Sequence, residues 1–324
     1  MPDLPFLDSF DHYLTVDGYQ KWTSGVTILA AGGRRGTNGA SVFANGIIKT
    51  FNAEYGTLYA GAAFMNPGNA LFKFTNALSG LNVALNTVGD GRLQILGTDP
   101  TNPNLFPPPL WPAVTPPILN GRWYYIEMMA AVSMNGITVS VRINEQTVLT
   151  ATCSFFGTLT THAAWATFNI QGAGGGGFTN VDDVYVNQTG FYGDVNIGVI
   201  RPDGPSSTMW IPSPTVANYL NVDDITPDGD ATTVASATVG DLDLYTMQDI
   251  PANAIVKAIQ GIASVKKDTA GLASLELQYG SGASLFSDEF YPSETSYIML
   301  RDGREDINTA SAINALVFGP KRIK

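Results

Sequence analysis

The sequence predicts an all-β protein, a jelly-roll β-sandwich followed by a second, smaller β-rich domain. Three observations carry this. Charged residues make up only 14% of the chain, against 34 glycines and 19 prolines, a balance that disfavours helical bundles and favours short strands joined by turns. Apolar and polar residues alternate with a period of two in the best-defined stretches, as half-buried strands require. Such stretches recur at short spacing from Phe10 to about Val186, with turn residues between them. A length of 324 residues favours two domains, placed at 1–189 and 190–324.

In chain order the strands of the first domain are SVFANGIIKTF, TLYAGAAFM, ALFKFTN, LNVALNTV, RLQILG, RWYYIEMMAAV, ITVSVRI, AWATFNI and VDDVYV. The clearest is SMNGITVSVRI. Asn135-Gly136 is expected to supply the positive φ angles of a tight hairpin turn, after which Ile137, Val139, Val141 and Ile143 alternate with Thr138, Ser140 and Arg142. The stretch from Thr98 to Asn120 holds eight prolines and interrupts this pattern. It reads as an extended, stiff insertion poor in ladder hydrogen bonds. Its apolar residues Leu105, Phe106, Leu110 and Trp111 have two readings, a cap on their own sandwich or a contact with a neighbouring subunit or another protein.

From Gly190 the expected strands are GFYGDVNIGVIRP, TMWIPS, DLDLYTM, NAIVKAIQGIASVKK, GLASLELQYG and SYIMLRD, with NTASAINALVFG as a short helix or a final irregular strand. PDGPSST and the acidic loop from Asp223 to Asp230 read as turns.

Asn-Val-Asp-Asp occurs twice, at Asn180–Asp183 and at Asn221–Asp224. On a strand Asp182 and Asp183 point to opposite faces, so they are not expected to converge as a glycosidase acid and nucleophile. The pattern Glu-x-Asp-x-x-Glu is absent. Asp223, Asp224, Asp228 and Asp230 offer hard oxygen ligands, but not at EF-hand spacing, and Pro227-Asp228-Gly229 favours a solvated turn. Gly172 to Gly177 formally fits G-x-G-x-x-G, but a strand-like segment follows where a dinucleotide fingerprint needs a helix. His12 and His162 lie in strand-like surroundings and read as structural or surface residues. These readings predict no catalytic residue, no cofactor and no metal, and a protein that is not an enzyme.

The formal net charge of −11 argues against a nucleic-acid partner. Cys153 is the single cysteine, which excludes a disulfide framework and reads as a small buried strand residue. MPDLPFLDSF shows neither the basic nor the apolar region of a leader, and no run approaches the length of a membrane-spanning helix. No membrane partner is expected.

SFDHY followed by KW, then GRWYYIEMMAAVSMNGITVSVRINEQTVLTAT and FTNVDDVYV, resembles the concanavalin-like (laminin-G-like) jelly roll. Joined to GFYGDVNIGVIRPDG, TMWIPS, NYLNVDDI, DGDATTV and DLDLYTMQDIP, the series is similar to virion structural proteins of tailed bacteriophages over most of the chain. The resemblance implies a structural component of the particle (capsid decoration, neck, or tail and fibre), made in the host cytoplasm. It would assemble with other virion proteins and with itself as a homo-oligomer. Both Asn-Val-Asp-Asp turns would then be architectural. The alternative is a carbohydrate-binding protein for host attachment, its partner a surface glycan, with Trp111, Trp123, Tyr124 or Trp165 as sugar platforms.

Overall fold

The computed structural model describes residues 4–12, 21–22, 27–29, 32–42, 46–66, 70–76, 80–98, 117–154, 164–172, 179–267, 272–281, 284–292 and 296–324. Leu105, Phe106, Leu110, Trp111, His162 and most of the glycine run lie outside these residues. The protein is all-β, and its chain divides into two compact units. One is Phe6–Ile197; the other is Gly198–Lys324 together with Met1–Pro5. The division falls beyond position 189, because the residues after Asn187 lie on the first unit.

The first unit holds β1 (Phe6–Asp8), β2 (Thr27–Leu29), β3 (Gly39–Val42), β4 (Ile47–Tyr55), β5 (Thr57–Met65), β6 (Ala70–Thr75), β7 (Asn82–Thr87), β8 (Leu93–Thr98), β9 (Trp123–Ser133), β10 (Gly136–Ile143), β11 (Gln146–Ser154), β12 (Trp165–Gln171) and β13 (Thr179–Asn187). Eight strands form one sheet in the order β11-β10-β9-β5-β13-β3-β2, with β1 also paired to β13. Five form the second, β4-β12-β6-β7-β8. The period of two places Ile126, Met128 and Ala130 of β9, Ile137, Val139 and Val141 of β10, and Leu58, Ala60, Ala62 and Phe64 of β5 in the buried layer. Phe64 meets Phe72 of the other sheet edge to face at 5.2 Å, and the Trp165 indole N–H donates to the Ala130 carbonyl at 2.9 Å. Two sheets closed on one apolar layer make the sandwich.

The β9–β10 turn differs from expectation. Ser133 pairs with Gly136, so the loop residues are Met134 and Asn135. Gly136 serves a different need, since a side chain there would collide with the Cys153 carbonyl of β11. The left-handed hairpin turn is the next one, Asn144-Glu145, with φ of 45° and 67°.

The second unit contains β14 (Pro202–Thr208), β15 (Ile211–Ser213), β16 (Thr233–Ala235), β17 (Asp243–Met247), β18 (Ile259–Val265), β19 (Leu275–Ser281), β20 (Ser284–Phe290), β21 (Ile298–Arg304), helix α1 (Ala310–Asn314) and β22 (Leu316–Arg322). Its main sheet runs β14-β17-β22-β19-β20, and β15–β16 and β18–β21 form two-stranded pairs. Tyr279, Ile313 and Leu316 anchor one apolar cluster, Leu277 and Phe290 another, and Phe318 packs against both.

Three expectations are corrected here. PDGPSST is not a turn but edge strand β14, whose two prolines and two register shifts suit an edge protected against further pairing. Residues 190–201 of GFYGDVNIGVIRP form no strand, and the N–H groups of Gly190, Tyr192, Gly193, Asp194, Ile197 and Arg201 are taken by side chains. NTASAINALVFG is both helix and strand, with Thr309 capping α1 through its hydroxyl before β22 begins.

Candidate functional site

On β9 the residues that face away from the core include Tyr125 and Glu127, and their cross-strand partners bring Arg142 of β10 and Tyr185 of β13 beside them. Glu127 is fully buried. It accepts from the Tyr185 hydroxyl and from the Gly193 N–H at 2.8 Å, and it pairs with Arg142 at 3.1 Å. Burial first, and the neighbouring charges second, push the Tyr125 and Tyr185 hydroxyls well above the ordinary phenol range, so both stay protonated as donors. Tyr125 donates to the Asp183 carbonyl at 2.9 Å.

Residues 188–197 lie over this network as a strap. The N–H groups of Thr189 and Gly190 donate to the Asn187 side chain, that of Tyr192 to the Tyr185 hydroxyl, that of Gly193 to Glu127, that of Asp194 to Glu145, and that of Ile197 to Asp183. Arg34 holds the Asp194 carboxylate at 2.5 Å, the Tyr192 ring lies tilted against that of Tyr185 at 4.6 Å, and Phe191 sits between Tyr59 and the Arg142 guanidinium. In this arrangement the carboxylate and both tyrosines are consumed in holding the strap.

The first Asn-Val-Asp-Asp belongs to the same construction. Asp183 has φ 51° at a register shift of β13, so strand alternation fails there and the expected separation of the two carboxylates does not hold. Both are buried. Asp182 accepts from the Arg34 N–H and the Asp183 N–H, each at 2.8 Å. Burial and the Asp183 charge raise its pKa to about 7, and burial raises that of Asp183. Asp183 faces Arg35 at 3.6 Å. His12 is buried beside Asp8 and Lys21, and burial followed by the Lys21 charge lowers its pKa to about 3, leaving a neutral imidazole. Trp165 is a core residue and offers no sugar platform, whereas Trp123 and Tyr124 are half-buried.

Sequence reasoning missed Glu127. Its signal is a lone acid in the otherwise apolar run YYIEMMAA, but the partners that give it meaning come from other strands.

In the second unit, Asn221 of the second Asn-Val-Asp-Asp is buried and ties the 215–217 backbone through its amide. Asp224 and Asp228 both accept from the Thr232 hydroxyl, at 3.0 and 2.9 Å, while Asp230 holds Lys266 at 2.5 Å and Tyr297 at 2.7 Å. No group of three or more potential metal ligands comes together among the described residues. Asp243 is fully buried and accepts from the Met209 and Trp210 N–H groups, the Asn218 amide and the Tyr245 hydroxyl. It thereby fixes the lobe 209–221.

Among the described residues twelve large hydrophobic side chains are exposed, and ten of them lie in the second unit, from Val199 to Tyr291. Seven of them, Met209, Ile211, Val216, Val239, Ile255, Leu272 and Tyr291, are between 55 and 97% exposed. Register and hydrogen bonds place Met209, Val239, Leu272 and Tyr291 toward one end of the main sheet. Thr208 pairs with Asp243, the Arg322 N–H donates to the Asp241 carbonyl, Gly240 donates to Arg322, and Leu275 pairs with both Arg322 and Phe290.

No protein-family model matches the chain, and no curated protein matches its sequence. Among solved structures, a cellulose-induced protein is similar at 14% identity and a TM-score of 0.42, over 60% of this chain and 100% of its own. An alginate lyase is similar at 12% identity and 0.38, over 58% and 98%. Domain 4 of an extracellular arabinanase from Geobacillus stearothermophilus is similar at 15% and 0.32, over 51% and 76%. None of the three is named as a phage protein. They correct one expectation, that the protein is not an enzyme, since two of them are an enzyme or part of one by name. The missing Glu-x-Asp-x-x-Glu pattern tests spacing along one strand only, and on a sheet polar groups can also converge from several strands.

Proposed function

We propose that the chain is an assembly component of a tailed-bacteriophage particle, made in the host cytoplasm and incorporated into the virion. The observation that carries the reading is that, among the described residues, ten of the twelve exposed large hydrophobic side chains belong to the second unit. Contiguous exposed apolar surface marks a protein contact. The similarity of GFYGDVNIGVIRPDG through DLDLYTMQDIP to virion proteins supplies the setting. Quantitative mass spectrometry of purified virions tests it. Stoichiometric presence supports the reading, and particles free of the chain end it.

A second reading, recognition of a bacterial surface glycan, is favoured by one feature of the sandwich. Thr138 meets Thr152 at 3.1 Å and Ser140 meets Thr150 at 3.2 Å, which sets four hydroxyls in register on the face of β10 and β11 that also carries Arg142 and, over it, Phe191. Binding to a glycan that Thr138→Val with Thr152→Val removes, the fold being intact, supports it. A blank glycan screen ends it.

A further inference from the structure

Asp182 and Asp183, adjacent on β13, are 1% and 2% exposed and seat two other parts of the first unit. Asp182 accepts the Arg34 N–H of the loop 32–38, and Asp183 accepts the Ile197 N–H at the end of the strap, each at 2.8 Å. The Arg34 guanidinium crosses from that loop to Asp194 of the strap, and Arg35 faces Asp183 at 3.6 Å. Asp11 takes the Asn38 N–H at the far end of the same loop. Loop and strap are therefore held at one point, by two buried neighbouring acids.

The surrounding charges do not balance this pair. Among the described residues its cations are Arg34 and Arg35, set against the carboxylates of Asp11, Asp182, Asp183 and Asp194. On the strap side Glu145 accepts the Asp194 N–H, and Glu127 is paired with Arg142. Tyr125 of β9 donates its hydroxyl to the Asp183 carbonyl and stays protonated. Asp8 of β1, opposite Val184, turns its carboxylate to the Phe10 N–H and the Trp22 indole N–H, and the residue of β5 opposite Asp182 is Ala63. Such surroundings favour one acid that keeps its proton. Burial first and the Asp183 charge second raise the pKa of Asp182 to about 7, against the two N–H donations it receives.

Asp183 supplies the movable part. Its φ of 51° is left-handed, a conformation that a residue with a side chain keeps only while its surroundings hold it. The extended alternative restores strand alternation. It sends the two carboxylates to opposite faces and takes that of Asp183 away from the Ile197 N–H.

We infer that Asp182 and Asp183 form a proton-dependent clamp on the strap. While Asp182 is neutral the pair sits together and residues 194–197 stay docked; when both acids are charged, Asp183 turns to the extended conformation and lets that segment go. The docked form holds the proton more tightly than the released form, in which Asp182 is solvated. Docking is therefore strongest below about pH 3.8 and is lost as pH rises through 7. The first unit ends at Ile197, so the clamp acts on the last residues before the chain enters the second. It operates whether the chain enters a virion or binds a glycan.

The test is hydrogen exchange of the purified full chain between pH 5 and pH 8, with the chemical pH dependence of exchange divided out. The amides of Arg34, Asp194 and Ile197 are expected to exchange about tenfold faster or more at pH 8, while the β9–β10 ladder keeps its protection. Asp182→Asn, neutral at every pH, is expected to make exchange at Asp194 and Ile197 independent of pH. Arg35→Gln, which takes a cation from Asp183, is expected to speed that exchange more at pH 8 than at pH 5. This variant and the wild-type profile decide the matter should Asp182→Asn fail to fold. Wild-type exchange that is indifferent to pH at these amides, or that changes equally throughout the sandwich, overturns the inference. So does a pH dependence that persists in a folded Asp182→Asn, or an Arg35→Gln effect equal at the two pH values.

Discussion

Replacing Glu127 by alanine tests how the strap is held. The change removes the acceptor of the Tyr185 hydroxyl and the Gly193 N–H and leaves Arg142, 20% exposed, without its buried partner. Breaking a buried pair from one side costs about 3–5 kcal/mol, because the remaining charge is uncompensated. Tyr185→Phe removes one hydrogen bond to a charged acceptor and the acceptor of the Tyr192 N–H, about 1.5–3 kcal/mol. Since both act on one network, the double mutant is expected to fall short of the sum by roughly 1–3 kcal/mol. Urea denaturation supplies the free energies; at a slope near 3 kcal/mol/M the Glu127→Ala midpoint drops by roughly 1 M or more. Hydrogen exchange at Tyr192, Gly193 and Asp194 locates the effect, with protection lost there before the β9–β10 ladder opens. A loss below about 1 kcal/mol, strict additivity with Tyr185→Phe, or unchanged exchange in the strap would refute the reasoning.

Three further outcomes are expected. The raised pKa of Asp182, about 7 against 3.8 unfolded, means that the folded sandwich holds this proton more tightly; the associated stabilisation is complete below about pH 3.8 and lost as pH rises through 7. Asp183 is shifted in the same direction, so the melting-temperature difference between wild type and Asp182→Asn should change between pH 5 and pH 8, and a pH-independent difference would contradict the assignment. Gly193→Ala should destabilise the sandwich by about 1–2 kcal/mol or more in thermal melts, because φ is +86° and the Glu145 carboxylate occupies the space a side chain would take. Asp243→Ala frees four donors in the second unit and should cost at least about 3 kcal/mol, with loss of amide protection at Met209 and Trp210 as the readout.

Strands whose residues alternate, such as β10, were legible because one face is buried and the period of two writes itself into the sequence. Strand β14 was not, because an edge strand protected by prolines has the composition of a turn. The strap was expected to be a strand, yet its N–H groups end on Tyr185, Glu127, Glu145 and Asp183, partners set by folding rather than by sequence distance. Asp183 shows the same limit at one residue. Its positive φ reverses the alternation that the strand reading relied on. The exposed end of the second unit was hidden because Met209, Val239, Leu272 and Tyr291 come from four separate segments and meet only through the sheet order. Leu105, Phe106, Leu110 and Trp111, the interface expected from the sequence, fall outside the described residues.

The central claim is assembly into a phage particle, and the most direct measurement is gold-label electron microscopy of intact virions with an antibody against the purified chain. The account predicts label at a regular structural position, over the head or gathered at a neck or tail. Label confined to fibre tips would transfer the weight to glycan attachment, and unlabelled particles from a lysate rich in free protein would contradict the claim.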